Sequence, residues 1–170
     1  MVTIAEAGAI LPLLALLQNG TDLVKENAAR ALWILTEEGD NRGLIVTAGA
    51  IPPLVALVQN GTHVAQEHAA VALMNLYFDD DSRKVSIVRA GAIPSLVALL
   101  VNGTDVAKGM ASQFLGFLAE DSDSNKVSIV RAGAIPPLVA LLKNGTALAK
   151  EHAAETLGTL AEEDDKSFFQ

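Results

Sequence analysis

The sequence repeats itself about every 42 residues, and this period limits the folds that it can adopt. The tetrapeptide Ala-Gly-Ala-Ile recurs at intervals of 41, 42 and 42 residues, and an Asn-Gly pair begins eleven residues after each of its glycines. Repeats of this length are typical of helical solenoids, in which each unit buries its apolar face against its neighbours. The period therefore predicts a stack of helical units with one long binding surface and no evident pocket for chemistry. The repeating glycines are Gly8, Gly49, Gly91 and Gly133.

Each repeat is predicted to hold three helices. The second begins at Ile-Pro, as at Ile51, because proline suits the first turn of a helix. It ends at Asn-Gly, where we expect the glycine to take the left-handed conformation at C′. A threonine follows each of these glycines and is expected to cap the third and longest helix. A short first helix precedes each tetrapeptide, over 84–90 and 126–132 in the later repeats. The predicted caps are Thr21, Thr62, Thr104 and Thr146.

Composition and charge exclude several classes of function. The chain contains no cysteine, so it has neither disulfides nor a thiolate metal site. Its net charge of −8 argues against nucleic acid, which requires a basic surface. No apolar run approaches the roughly 18 residues of a membrane span, and no secretory signal is visible. We therefore expect an intracellular protein, cytoplasmic or nuclear, that binds neither membrane nor cofactor.

The repeat motif resembles that of a known family. The segment Ala-Gly-Ala-Ile-Pro-Pro-Leu-Val-Ala-Leu-Leu, at 132–142, is similar to the armadillo repeat and closest to its plant U-box type. The resemblance covers nearly the whole chain. It implies an all-α fold, a right-handed α-solenoid of about four repeats, whose third helices line a concave groove for extended peptides. The expected single domain spans 1–170, with repeats at 1–38, 39–80, 81–122 and 123–165 and a tail at 166–170.

Two features distinguish the chain from an ordinary member of that family. The stretch 85–104 matches 127–146 at all but two positions, which indicates recent duplication, a fragment of a longer array or an engineered chain. The first repeat also lacks most of its first helix, and neither end resembles the polar capping repeat that such stacks need. Uncapped ends predict self-association as an alternative function, in which changes at Val2, Ile4 or Phe168 would alter assembly.

The resemblance also indicates where a peptide would bind. In the family, the third helix carries a tryptophan and, four residues later, an asparagine whose amide pairs with the peptide backbone. Of the four asparagine positions only Asn75 matches, whereas Ile34 and Phe117 offer no amide. We therefore expect side-chain pockets, or contact with an apolar helix of the partner, rather than a backbone ladder. The candidate contacts are these two positions in each repeat together with Trp33: Arg30, Trp33, Ile34, Val71, Asn75, Gln113, Phe117, Glu155 and Thr159.

Several interpretations stay open from the sequence. The candidate contacts either bind a partner or pack against neighbouring repeats, and Trp33 is either an interface anchor or a cover for the next repeat. Acidic loops after each third helix either attract basic peptides or form a solvated edge that arginines partly neutralise. A ubiquitin-ligase fragment is a weaker interpretation, because the chain holds no U-box. His68 and His152 are too far apart to share a metal ion, and no catalytic motif is present, so a non-catalytic protein–protein interaction scaffold is predicted.

Overall fold

The chain folds into helices joined by short turns. The computed structural model describes residues 4, 5 and 8–167, with side chains up to residue 162, and across these residues all regular secondary structure is helical. Val2 and Phe168, which the sequence implicated in assembly, lie outside the described residues. The helices are α1 Ile10–Asn19, α2 Asp22–Glu37, α3 Gly39–Thr47, α4 Ile51–Asn60, α5 His63–Tyr77, α6 Asp81–Arg89, α7 Ala92–Asn102, α8 Asp105–Asp121, α9 Asp123–Arg131, α10 Ile135–Asn144 and α11 Ala147–Ser167.

The helices follow the predicted order of short, medium and long segments in each complete repeat. The short first helices begin three residues earlier than predicted, at Asp81 and Asp123. In α6 the cause is a cap, since the Asp80 carboxylate accepts a hydrogen bond from the Ser82 backbone N–H at 2.6 Å. The acidic loop residues of this repeat thus take part in helix initiation.

The described residues form two compact units, one spanning 1–92 and the other 93–170. In the N-terminal unit, the third helices α2 and α5 share the most extensive helix–helix contact, and α8 and α11 do so in the C-terminal unit. Each unit therefore places two third helices side by side. The division of one solenoid into repeats at 1–38, 39–80, 81–122 and 123–165 stays a prediction.

Aliphatic side chains fill the interior of each unit. Leu32, Leu54 and Leu73 are fully buried in the N-terminal unit, and Leu96 and Leu118 are fully buried in the C-terminal unit. Burying a leucine stabilises a fold by about 1.5–3 kcal/mol relative to leaving it exposed. Each of these leucines lies on a different helix, and its burial shows which face of that helix turns inward.

The prediction of left-handed glycines after Asn was wrong. Gly61 follows Asn60 with φ −76° and ψ 170°, which is extended backbone. A Cβ on Gly61 would lie 2.6 Å from the Leu57 carbonyl oxygen, so glycine stands there because space is lacking. Gly20 and Gly145 adopt the same conformation with the same close approach. Proximity to the helix end, rather than backbone handedness, therefore selects these glycines.

The left-handed glycines are instead those of the repeating tetrapeptide. Gly49 has φ +85°, and its N–H donates to the Val46 carbonyl at 2.9 Å while the Ala50 N–H donates to the Ile45 carbonyl at 3.3 Å. These two bonds form a Schellman motif, which ends α3 and turns the chain into α4. The same conformation recurs, with φ between 84° and 93°, at Gly8, Gly49, Gly91 and Gly133.

The threonine caps were predicted correctly. The Thr62 hydroxyl oxygen accepts a hydrogen bond from the Ala65 N–H at 3.2 Å, and Thr104 accepts one from Ala107 at 3.1 Å. Thr21 and Thr146 make the equivalent bonds at 3.5 and 3.2 Å. Each third helix therefore begins at the same point of its repeat, which keeps equivalent side chains on equivalent faces.

No single helix within the described part of the chain is long and apolar enough to cross a membrane. Three bent pairs of consecutive helices reach the required length and composition when each pair is taken together.

Candidate functional site

The candidate contacts lie on the third helices, in the middle and C-terminal part of each. On α2, Arg30 and Ile34 are exposed and Trp33 is half-buried. On α5, Val71 and Asn75 are half-buried. Because 3.6 residues make one turn, positions 30 and 34 lie one above the other on the side of α2 that points away from the buried leucines. The same side of each third helix, taken within its own unit, is called the third-helix face below.

Trp33 contacts the neighbouring third helix directly. Its indole ring stacks on the His68 imidazole of α5, with ring centroids 5.4 Å apart and planes 22° from parallel. The Nδ1 atom of His68 in turn lies 3.3 Å from the Glu26 carbonyl oxygen of α2. The half-buried indole therefore joins α2 to α5 and still presents part of its surface to solvent. Trp33 therefore covers the neighbouring repeat, and its role as an interface anchor stays a prediction.

Asn75 is engaged within the fold. Its side-chain amide donates a hydrogen bond to the Thr36 hydroxyl of α2 at 3.1 Å, and that hydroxyl donates to the Trp33 carbonyl. One of the two amide N–H groups is thus used between helices, while the carbonyl oxygen and the second N–H make no bond within the described residues. Asn75 therefore keeps part of the hydrogen-bonding capacity that a peptide backbone requires.

In the C-terminal unit the four remaining candidates lie together. Gln113 and Phe117 of α8 and Glu155 and Thr159 of α11 line one cleft of about 50 Å³. The two helices approach closely there, since a Cβ on Gly116 would lie 2.8 Å from the Thr156 hydroxyl. A cleft of this size holds a water molecule or a small side-chain group, and its walls offer an amide, an aromatic ring, a carboxylate and a hydroxyl.

The structure also shows an exposed apolar position that the sequence analysis missed. The second residue of every third helix is aliphatic and solvent-exposed, with 67%, 46%, 59% and 60% of its surface accessible. Spacings of seven and eleven residues place this position above Arg30 and Ile34 on the same side of α2. The signal was present in the sequence as an aliphatic residue two positions after each capping threonine. These residues are Leu23, Val64, Val106 and Leu148.

The negative charge of the acidic loop after α5 is partly cancelled by arginines of the fold. Asp79 forms ion pairs with Arg42 at 2.6 Å and with Arg83 at 2.5 Å. Arg42 also donates to the Thr36 carbonyl at the end of α2, so the network ties α2, α3 and α6 together. Hydrogen bonds from the side chain and backbone of Ser82, together with the charge of Arg83, lower the pKa of Asp80. This loop therefore supports helix ends, and its charge is partly cancelled.

No cluster suited to a metal ion was found in the part of the chain that the structure describes. His152 lies 3.7 Å from the Glu155 carboxylate on its own helix, and His68 faces Trp33. The histidines thus have structural neighbours rather than convergent ligands.

Comparison with known protein families finds one match, to two segments of the chain. The protein-family model described as Armadillo/beta-catenin-like repeat matches residues 2–37 and 122–162. Comparison with curated proteins finds no significant match. The two matched segments cover the first and the last repeat predicted from the period. The two matches therefore lie near the two ends of the sequence.

Three solved structures, all of engineered or designed proteins, share the fold. An engineered protein has 27% identity and a TM-score of 0.80, and the match covers 89% of this chain and 63% of the other. A computationally designed armadillo-repeat protein for modular peptide recognition has 26% identity and a TM-score of 0.83, covering 92% and 66%. A designed armadillo-repeat protein in complex with the peptide (KR)4 has 25% identity and a TM-score of 0.80, covering 91% and 65%. The chain thus spans about two thirds of their length.

The structure shows capped third helices, tetrapeptide glycines in the left-handed conformation, and paired third helices in each unit. The chain carries armadillo-type repeats at residues 2–37 and 122–162 and shares its fold with designed armadillo-repeat proteins.

Proposed function

We propose that this protein is a non-catalytic scaffold that binds an extended peptide on its third-helix face. The observation that carries the proposal is the exposed aliphatic residue at the same position of all four third helices, beside polar side chains of the same face. Exposed apolar residues that recur in register with amide, carboxylate and hydroxyl groups suit a polypeptide partner better than a small substrate. A designed armadillo-repeat protein of similar fold is known in complex with the peptide (KR)4.

The chemistry of the face indicates which peptide to test. Aliphatic positions such as Leu23 and Leu148 favour aliphatic side chains, and exposed Glu155 favours a cation. Successive residues of an extended peptide point to opposite sides, about 3.3 Å apart along the chain. We therefore expect alternating basic and aliphatic residues to bind, as in the octapeptide acetyl-(Lys-Leu)4-amide.

Titration of this octapeptide, followed by the fluorescence of Trp33, tests the proposal. Ile34→Ser is expected to weaken binding at least about fivefold, which is the effect of losing roughly 1 kcal/mol of apolar contact. Leu44→Ser is the matched control, because Leu44 has the same exposure of 48% but lies on the first helix α3. Equal affinity for the two variants, or no saturable binding to the parent chain, would contradict the proposal.

A second candidate function is self-association through the apolar surface on and before helix α1. Ile4, Leu11 and Leu16 are large, exposed aliphatic residues in this part of the chain. Exposed apolar residues grouped in one region mark interfaces in soluble proteins. This candidate is separated from peptide binding by the dependence of molecular mass on concentration.

A further inference from the structure

Two cavities of the same construction lie at the turns between second and third helices. The first, of about 320 Å³, belongs to the N-terminal unit and is lined by Asp22 and Lys25 at the start of α2 and by Pro53, Ala56 and Leu57 of α4. It faces a different direction from the third-helix face. Leu23 and Lys25 are two residues apart, so at 3.6 residues per turn they point to nearly opposite sides of α2.

The second cavity, of about 450 Å³, belongs to the C-terminal unit. Its walls are Asp105 and Lys108 at the start of α8 and Pro137, Ala140 and Leu141 of α10. Each of these residues occupies the repeat position of its counterpart in the first cavity. The two cavities are therefore two copies of one feature, made by repeats 1 and 2 and again by repeats 3 and 4.

The charged side chains of both cavities make no recorded polar contact. Among the described residues no ion pair or hydrogen bond involves the side chain of Asp22, Lys25, Asp105 or Lys108. The corresponding residues of α5 behave differently. Gln66 donates to the Val58 carbonyl at 3.0 Å, and its side-chain oxygen lies 3.3 Å from the His63 Nδ1. At these positions of the second repeat, the two side chains contact each other, and Gln66 also bonds to the backbone.

We propose that each cavity receives one aromatic side chain of a polypeptide partner, with a cation on one side of that ring and an anion on the other. The proline, alanine and leucine walls bury the ring, and aromatic side chains are the usual anchors of such pockets. The aspartate pairs with the partner's cation and the lysine with its anion. Both signs of charge are required, because each cavity carries one free group of each. This surface is additional to the third-helix face.

The tripeptide acetyl-Arg-Trp-Glu-amide is the probe, titrated into the full-length ¹⁵N-labelled chain. The expected result is saturable chemical-shift change at the backbone amides of Ala56 and Gly61 and of Ala140 and Gly145, with two sites per chain. The analogue acetyl-Arg-Ala-Glu-amide, which lacks the ring, is expected to give no saturable shift. Equal binding of the two peptides would overturn the assignment of an aromatic anchor.

Filling the cavities gives the decisive variants. Ala56 and Ala140 are exposed on their helices, so Ala56→Trp and Ala140→Trp leave the core intact. Each is expected to remove one of the two sites. Ala15→Trp is the matched control, because Ala15 holds the same position in α1, is exposed, and lines neither cavity. Two sites of unchanged affinity in the double variant, or loss of sites in the control, would overturn the proposal.

The charges are tested separately. Lys25→Gln is expected to weaken the N-terminal site at least about threefold while leaving the C-terminal site unchanged. Equal affinity at the two sites in this variant would refute the role of the lysine. Binding of acetyl-(Lys-Leu)4-amide to the third-helix face should persist in the cavity variants, so failure of this proposal and failure of peptide binding on that face are distinguishable.

Discussion

Glycines meet two different requirements in each repeat, and substitution separates them. Gly49 has a positive φ and open space around a Cβ, so Gly49→Ala is expected to cost about 1–2 kcal/mol of backbone strain. Gly49→Asn is expected to cost less, because asparagine tolerates the left-handed region. Gly61 has an ordinary φ but no space, so alanine and asparagine should be similarly destabilising there. Urea unfolding of the four variants measures these differences, and equal costs for alanine and asparagine at Gly49 would contradict this account.

Two buried hydroxyls differ in their hydrogen bonding. Ser112 is fully buried and its hydroxyl oxygen has no partner in the described structure, whereas the Thr156 hydroxyl donates to the Ser112 carbonyl at 2.9 Å. Ser112→Ala is therefore expected to leave stability unchanged or raise it by up to about 1 kcal/mol. Thr156→Val, of similar shape, is expected to lower stability by about 1 kcal/mol. Denaturant midpoints test both variants, and a greater loss from Ser112→Ala than from Thr156→Val would refute the assignment.

At the scale of the residue, local patterns predicted some features and missed others. Threonine caps were predictable because the capping bond joins residues three apart and needs no tertiary partner. The glycine after asparagine was misassigned, because both an extended and a left-handed backbone end a helix with glycine. The distinction lies in the space between Gly61 and the Leu57 carbonyl oxygen. Sequence spacing carries no information about that distance.

At the scale of the helix, the capping threonines differ in the additional hydrogen bonds that they make. The Thr62 hydroxyl donates a hydrogen bond to the Glu26 carboxylate of α2 at 2.6 Å. The equivalent threonine, Thr146, has no such acceptor, because the residue that corresponds to Glu26 there is Gly109. Thr146→Ala is expected to cost about 1 kcal/mol for the lost cap. Thr62→Ala is expected to cost about 0.5–1.5 kcal/mol more, because a hydrogen bond to a charged group is lost as well.

A double-mutant cycle between Thr62→Ala and Glu26→Ala isolates that extra contribution. A positive coupling energy is expected from thermal or urea unfolding of the four proteins. Additive single-mutant effects would show that the bond between α2 and α5 contributes nothing, and that the cap alone accounts for the role of Thr62.

Helix periodicity predicted that the candidate residues lie on the third helices, as they do, but it could not predict their neighbours. The stacking of Trp33 on His68 and the bond from Asn75 to Thr36 both join α2 to α5. They depend on the register between two packed helices, which a one-dimensional pattern does not fix. The recurring aliphatic position of Leu23 was visible in the sequence. Its exposure was not, because a sequence pattern alone does not show which side of a helix faces the core.

At the scale of the whole molecule, oligomeric state separates the two candidate functions. If peptide binding on the third-helix face is the function, the chain should remain a monomer of 17.7 kDa at all concentrations. Light scattering coupled to size exclusion measures this directly. A mass that rises with concentration would favour self-association instead. In that case Leu11→Ser should restore the monomer, because Leu11 is a strongly exposed aliphatic residue of α1.

The measurement that tests the central claim most directly is a chemical-shift map of the ¹⁵N-labelled chain titrated with acetyl-(Lys-Leu)4-amide. The account predicts saturable shifts along the third-helix face, including the Trp33 indole N–H and the amides near Ile34, Val64, Phe117 and Leu148. The comparison peptide acetyl-(Lys-Ser)4-amide, which keeps the charge and removes the aliphatic side chains, should bind more weakly. No saturable shifts on this face, or equal binding of the two peptides, would contradict the claim that the third helices form a peptide-binding surface.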